Sequence, residues 1–461
     1  MPYVLCYTVF MKEGFISRQK ANPARILVLG FIAIIMLGAL LLSLPISSRN
    51  GVSVPYRTAL FTATSATCVT GLTVVDTALT WSVFGRVVIL CLFQVGALGF
   101  VSVTTIFFFI MHRKINLSQR LLMVQSMNLH DRNGIVGLIR HVLFGTLIFE
   151  SIGAVILWIR FIPEYGALKG LGMGVFHAVS AFCNAGFDLM GERGAFSSLS
   201  TYSGDPVIII TTMLLVVIGG IGFFVWEDVL HNRSFKKLHL HSKMVLSVSL
   251  FLLVFGWVVF YFAERTNPGT IGNMSLPNAV LASLYQSVMP RSGGLSIVNQ
   301  ESLTGVSKMV TMVLMLIGGS AGSAAGGIKN VTVAILFLTA MRSVMGNKRL
   351  TVFKRTIPET QILSAVSIMF TALTACFVGT VAIAFIQPEL PSPGILFEMV
   401  SAVANCGISN GITSILSPAS SIVIIIFMFF GRVGIMTVGM AAFMRHGIAE
   451  KTKQPDTGVM M

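Results

Sequence analysis

The chain has 461 residues, 54% of them hydrophobic and only 11% charged, with a mean hydropathy of +0.85 and a formal net charge of +15. A soluble domain carries about 25% charged residues, so the composition excludes one and points to an integral membrane protein. The cation excess would suit nucleic acid, but its distribution along the chain assigns it to membrane topology and argues against that partner.

In chain order, apolar runs lie near 26–46, 83–111, 138–161, 207–230, 244–263, 307–341, 361–386 and 420–444. Each is long enough to cross about 30 Å of hydrocarbon as a helix, and eight crossings leave both termini on one side. The first run lies too far in, and lacks a small-residue cleavage site, to read as a cleaved signal peptide. Alternate loops collect 21 Lys and Arg residues, among them Arg113, Lys114, Arg120, Arg132 and Arg140 in the second. The opposite loops hold nine. Cations gather on the cytoplasmic side, so both termini are expected there, in a multi-pass protein of the plasma membrane. The longest inside loop, about 112–137, is too short for a core of its own. No CxxC pair, no His cluster with metal spacing and no nucleophile–base set occurs, so an enzyme is not expected.

The outside loops repeat. Quoted from a shared serine, they read SATCVTGLTVVD (from Ser65), SAFCNAGFDLMG (Ser180), SVMPRSGGLSIV (Ser287) and SAVANCGISNGI (Ser401). The glycines Gly71, Gly186, Gly294 and Gly407 are 115, 108 and 113 residues apart, and a period of that length is a whole structural unit. Each unit reads as a spanning helix, a short half-helix, an extended loop and a second spanning helix. Extended backbone at membrane depth is tolerated only where protein buries it or water lines it. Four such loops around one axis present carbonyl oxygens in place of a cation's hydration shell. The half-helices add their C-terminal partial negative charge. Asp76 and Asp188, just past two of the glycines, would add charge at the outer mouth. The expected fold is therefore all-α: four M1–P–M2 repeats around a pseudo-fourfold pore, with eight spanning and four re-entrant helices. The divisions are 1–25 (cytoplasmic), 26–111, 112–230, 231–345 and 346–446 (repeats), and 447–461 (cytoplasmic tail).

These loops, with QVGALGF (Gln94–Phe100), GGIGFFVWED (Gly219–Asp228), GGSAGSAAGGIK (Gly318–Lys329) and FFGRVGIMT (Phe429–Thr437), resemble the Trk/Ktr/HKT superfamily of potassium transporters. The likeness spans essentially the whole chain and is greatest to the bacterial Ktr membrane subunit. It implies a filter formed by Cys68–Val69–Thr70–Gly71, Cys183–Asn184–Ala185–Gly186, Arg291–Ser292–Gly293–Gly294 and Ala404–Asn405–Cys406–Gly407. It implies potassium as the transported ion, bound by backbone carbonyls, with sodium-dependent uptake and no organic cofactor. It further implies a homodimer and a cytoplasmic nucleotide-binding regulatory ring of the RCK type. The third loop reads MPRSGGL where the family reads close to TTRTAGF. Gly293 and Gly294 both stand as filter candidates there, and the family register favours Gly294. Relatives that select sodium tend to carry serine for the first filter glycine, where this chain has Gly71.

The third repeat's second helix is interrupted by Gly318, Gly319, Ser320, Ala321, Gly322, Ser323, Ala324, Ala325, Gly326 and Gly327, followed by Lys329. Glycine costs about 1 kcal/mol against alanine in a helix interior, so a soft break is expected about halfway across the membrane. Read as a gate, it would cross the axis below the filter. A phosphate-binding loop is excluded, because the spacing to Lys329 is one residue too long and no Ser or Thr follows. Arg432 lies deep in the last span, and a central arginine costs at least about 2.5–3.5 kcal/mol, so carbonyls of the broken helix are its expected partners. Glu150 and Glu398 are embedded acids, Glu398 expected to be hydrogen-bonded near the outer surface, and His177 is expected to be packed. The alternative reading is a secondary active cation carrier with a midplane site, a class commonly built from two halves where this chain shows four units.

Overall fold

The computed structural model describes residues 23–99, 135–346 and 349–434. Along them one pattern recurs: a long helix, a short helix, an extended loop and a second helix that stops early. First come α1 (Pro23–Ser43), α2 (Tyr56–Thr67) and α3 (Val83–Leu98). The second set is α4 (Ile135–Tyr165), α5 (Ala167–Phe182), α6 (Pro206–Ile221) and α7 (Phe223–Asn232). The third is α8 (Leu240–Glu264), α9 (Leu276–Val288), α10 (Gly305–Leu316) and α11 (Asn330–Val344). The fourth is α12 (Glu359–Ile386), α13 (Ser392–Ala404) and α14 (Pro418–Val433). Among the described residues, α1, α4, α8 and α12 are individually long and apolar enough to cross a membrane. A two-residue hairpin, Thr351–Val352 against Arg355–Thr356, departs from the all-helical expectation.

The second helices differ from expectation. The run 207–230 is two helices, α6 and α7, bent by 92° at Gly222. The helices begun at Val83 and Pro418 end at Leu98 and Val433, against Gly99 and Gly434. The rest of those two expected spans, 100–111 and 435–444, lies outside the described residues. All three glycines share one backbone shape: φ 80°, ψ 143° at Gly99; φ 105°, ψ 137° at Gly222; φ 86°, ψ 126° at Gly434. A side chain rarely tolerates that region, so each glycine is a stop signal rather than a weak helix former.

Polarity is turned inside out. The long helices present large apolar side chains outward, as at Leu29 (64% exposed), Phe262 (74%) and Phe370 (70%). Thr64, Ser65, Thr67, Thr70, Ser180, Asn184, Ser287, Ser292, Ser401 and Asn405 are fully buried at the centre. In hydrocarbon this arrangement is the stable one, because lipid covers the apolar faces and the polar groups are kept out of it.

The short helices are seated by close backbone approach. Gly96 on α3 lies under the Thr67 carbonyl, Gly219 on α6 under that of Phe182, and Gly431 on α14 under that of Val403. Each carbonyl belongs to the residue four before that loop's glycine. None of the three leaves room for a Cβ against rigid backbone. Gly219→Ala should therefore cost about 1–3 kcal/mol through overpacking. It should lower the melting temperature of the detergent-solubilised protein by several degrees, whereas Gly172→Ala, which meets open space, should not.

Candidate functional site

The four short helices α2, α5, α9 and α13 end where the glycine loops begin. In each loop, two alternate residues adopt left-handed backbone. These are Val69 (φ 56°) and Gly71 (91°), Asn184 (56°) and Gly186 (71°), Ser292 (72°) and Gly294 (72°), and Asn405 (49°) and Gly407 (90°). Alternating positive and negative φ swings successive carbonyls toward the same side, which is what an ion path lined by backbone oxygen requires. The third loop keeps this pattern with Gly294, not Gly293, in line with the other three glycines. It is one residue longer than its counterparts, Gly294 lying seven residues past Ser287 where the others lie six past their serines.

The glycines meet in a closed ring in chain order. A Cβ on Gly71 would lie 2.6 Å from the Ala185 carbonyl oxygen and 2.9 Å from the Cα of Gly186. One on Gly186 would lie 2.9 Å from the Cα of Gly294, and one on Gly294 2.8 Å from the Cys406 oxygen. One on Gly407 would lie 3.0 Å from the Cα of Gly71. The shared serine explains itself here. Ser65 and Ser401 accept the amide N–H of Gly71 and Gly407 on their Oγ atoms, each at 3.1 Å. Ser180 donates instead to the Phe187 carbonyl at 2.6 Å, and Ser287 to Leu253 of α8 at 2.7 Å.

Below the ring lies the small-residue break. It is a lateral loop rather than a kink. The end of α10 and the start of α11 are clipped together, Gly318 N–H donating to the Ile328 carbonyl and Ile328 N–H to that of Leu316, both at 3.0 Å. The loop between them reaches across to other repeats. Ser320 and Ala324 donate backbone N–H to the carbonyls of Gly220 (2.9 Å) and Gly219 (3.1 Å), while Phe223 N–H donates to Gly322 (2.8 Å). A Cβ on Gly326 would sit 2.6 Å from the Ala404 carbonyl oxygen of the fourth filter loop. Arg432 Nη1 donates to the Ala324 carbonyl at 2.8 Å, and its Nη2 to Gly96 (2.6 Å) and Ala97 (3.3 Å). Lys329 Nζ caps the Ala325 carbonyl at 2.9 Å. Hydrogen bonds from a charged donor contribute about 1.5–3 kcal/mol each, enough to offset an arginine at this depth.

With this geometry in place, the chain was compared with known proteins. Residues 10–449 match the family model described as TrkH, cation transport protein. The chain belongs to that family. It is an ion transporter rather than an enzyme, and a multi-pass membrane protein. The TrkH-family chain is 37% identical over 448 residues to the potassium/sodium uptake protein NtpJ of Enterococcus hirae, covering 96% of this chain and 98% of that protein. It is 37% identical over 426 residues to the Ktr system potassium uptake protein B of Bacillus subtilis, covering 92% and 94%. In fold it is similar to the crystal structure of the potassium transporter TrkH from Vibrio parahaemolyticus, with a TM-score of 0.71 at 16% identity, covering 93% of this chain and 86% of that one.

Several side chains in this TrkH-family site do things the sequence did not disclose. Glu398 accepts the N–H of Asn410 at 2.9 Å and the hydroxyls of Ser409 and Thr413, both at 2.6 Å. His177 stands at the same place in the second repeat, nine residues before its filter glycine. Its Nε2 accepts the N–H of Leu189 at 3.2 Å while Nδ1 faces the Met173 carbonyl at 2.8 Å. Leu189 and Asn410 both lie three residues past the glycine, so two unlike side chains perform one clamp on the outgoing strand. Two of the buried cysteines are hydrogen-bond donors. Cys183 Sγ lies 3.1 Å from Gln94 Oε1 and 3.7 Å from Glu150 Oε1, and Cys406 Sγ lies 3.0 Å from the Pro290 carbonyl oxygen. Gln94 Nε2 also donates to Glu150 at 3.2 Å, giving that embedded acid neutral partners. At the outer side, Asp76 caps the turn Thr77–Thr80 through Ala78 and Leu79 and accepts the N–H of Phe196 at 2.9 Å. Asp188 accepts that of Met190 at 2.9 Å. Both carboxylates thus pin outer-loop backbone. Asn405 donates to Thr70 Oγ1 at 2.8 Å, tying the fourth filter loop to the first.

Proposed function

We propose that this chain is the ion-translocating subunit of a channel-like potassium uptake system. Its four M1–P–M2 repeats supply eight crossings and four re-entrant helices, with repeat boundaries at 26–111, 112–230, 231–345 and 346–446. Potassium passes the backbone carbonyls of residues 68–71, 183–186, 291–294 and 404–407, and Asp76 and Asp188 set a negative potential at the outer mouth. The observation that carries this reading is the closed ring of Gly71, Gly186, Gly294 and Gly407, each in left-handed backbone between its neighbours. A carrier built of two halves has no reason to close such a ring. Uptake depends on sodium, in keeping with the potassium/sodium uptake relative. If Gly71 lines the narrowest point, Gly71→Ser adds a side chain where φ is 91° and the next loop's backbone stands in the way. Rubidium uptake in competition with sodium should then lose about tenfold in discrimination, the scale of one oxygen-ligand set disturbed by about 1.4 kcal/mol. Unchanged discrimination in a normally inserted protein would remove these loops as the filter.

The loop 318–327 is the gate. What supports this is that the loop abuts the fourth glycine loop at Ala404 and is held by the second helices of other repeats, with Arg432 bonded to it. Opening draws α11 and the loop aside. Deleting Ser320–Ala325 should raise the transport rate severalfold while leaving ion discrimination intact, because the filter loops and the start of α11 are both retained. A folded deletion protein transporting at the original rate would refute the gate.

The force for opening comes from a separate cytoplasmic nucleotide-binding ring acting on a homodimer, with both termini on its side of the membrane. The docking segments inferred from sequence are 112–137, 231–243 and the C-terminal tail. Of these, 112–134 and the tail lie outside the described residues. The segment 231–243 carries Arg233, Lys236, Lys237 and Lys243, and its Phe235 packs edge-to-face on Phe353 of the hairpin at 6.2 Å. Together they form one basic, ring-bearing surface. Pull-down from native membranes should recover a nucleotide-binding protein. Charge reversal at Lys236 and Lys237 should abolish that recovery without loss of membrane insertion, and fully regulated transport by the purified chain alone would exclude the partner.

A further inference from the structure

Arg291 is the one filter-loop residue with a long charged side chain, and it does not face the ion path. It turns back toward α8, where Nη1 donates to the Ser249 carbonyl at 3.2 Å and Nη2 to the Ser249 hydroxyl oxygen at 3.1 Å. The same hydroxyl oxygen accepts a second bond, from Asn330 Nδ2 at 3.0 Å. Asn330 is fully buried at the first turn of α11, and its own N–H donates to the Gly319 carbonyl at 3.1 Å. Its Oδ1 accepts the Val331 N–H at 2.8 Å, which fixes the amide so that Nδ2 points to α8. A hydroxyl offers two acceptor lone pairs. Here one serves the filter loop and the other the helix that begins just after the lateral loop.

We propose that Ser249 is a positioning residue that couples the third filter loop to the gate, through the chain Arg291–Ser249–Asn330–Gly319. This rests on the filter and gate reading above and goes beyond it by naming the connection between them. Moving α11 aside withdraws Asn330 from Ser249 and leaves the hydroxyl that receives Arg291 less firmly oriented, so filter geometry depends on the gate's position. The dependence is reciprocal, since any coupling free energy acts in both directions. It also accounts for the extra residue in the third loop. An insertion between Ser287 and Gly294 gives Arg291 the slack to reach α8 while Ser292 and Gly294 keep the conformation shared by the other loops.

The test uses the full-length chain in proteoliposomes, measuring radiolabelled rubidium and sodium uptake. Asn330→Ala, although it alters no filter residue, should reduce rubidium-over-sodium discrimination by about threefold, the lower end of what one buried hydrogen bond supplies. Ser249→Ala should reduce it at least as much, and adding Asn330→Ala to it should have no further effect. Ser249→Thr, which keeps the hydroxyl, should restore discrimination. Should Ser249→Ala fail to insert, Ser249→Cys, a far weaker acceptor of similar size, provides the same background. Unchanged discrimination in Asn330→Ala, or losses that multiply in the double variant, would overturn the coupling. Those outcomes are separable from failure of the underlying reading. Deletion of Ser320–Ala325 leaves the Asn330–Ser249 bond in place and tests the gate alone, and Gly71→Ser tests the filter alone.

Discussion

Backbone that is not helical carries unsatisfied N–H and C=O groups, and at membrane depth no water is available to satisfy them unless the protein makes room for it. This constraint organises the whole chain. The glycine loops leave helical geometry with several of their amide groups received by the short helix before them, as at Thr70, Ala185, Gly294 and Cys406. Ser65 and Ser401 take the glycine amides, Cys406 bonds the third loop, and Asn405 bonds the first. The close approach of the four loops that forms the ring also sets the arrangement of carbonyls an ion can use.

The constraint also fixes the second helices. A loop seated over an axis needs its short helix held close beneath it, and the closest approach is backbone against glycine. Gly96, Gly219 and Gly431 provide that seat, and three residues later Gly99, Gly222 and Gly434 end the helix. The spacing is one helical turn, so seat and stop lie on the same face and the chain leaves the axis immediately below the filter.

Much of this was legible in the sequence, and the parts that were not have identifiable reasons. The ring of loops was legible because four loops need glycine at one position, and a requirement repeated four times rises above chance. The break in the third repeat was legible because its glycines are dense. The stops at Gly99, Gly222 and Gly434 were not read, since one glycine in an apolar run costs only about 1 kcal/mol and hydropathy ignores conformation. In hindsight the signal was present as a glycine pair three apart in QVGALG, GGIG and GRVG, repeated like the filter glycines. The clamp at His177 and Glu398 was hidden for a different reason. The structure needs an acceptor there rather than a residue type, so two chemically unlike side chains satisfy it. The donor role of Cys183 depends on Gln94 and Glu150, which no local pattern brings together.

The asymmetry of the repeats follows from the symmetry of the ring. An axis lined by four equivalent loops leaves room beside it for a lateral loop from one repeat but not from all four, so one repeat differs. The third does so by expanding its glycine pair, Gly319 and Gly322, into a loop clipped at its base by Gly318 and Ile328. The other three repeats then become its collar, and they use the residue after the seating glycine. In the first, the Ala97 carbonyl accepts from Arg432; in the second, the Gly220 carbonyl accepts from Ser320; in the fourth, the residue is Arg432 itself. A loop held by backbone carbonyls of one neighbour and a single arginine of another is ordered without being cored, because it buries few large side chains of its own. Its stability comes from a handful of hydrogen bonds that can be exchanged for water one at a time.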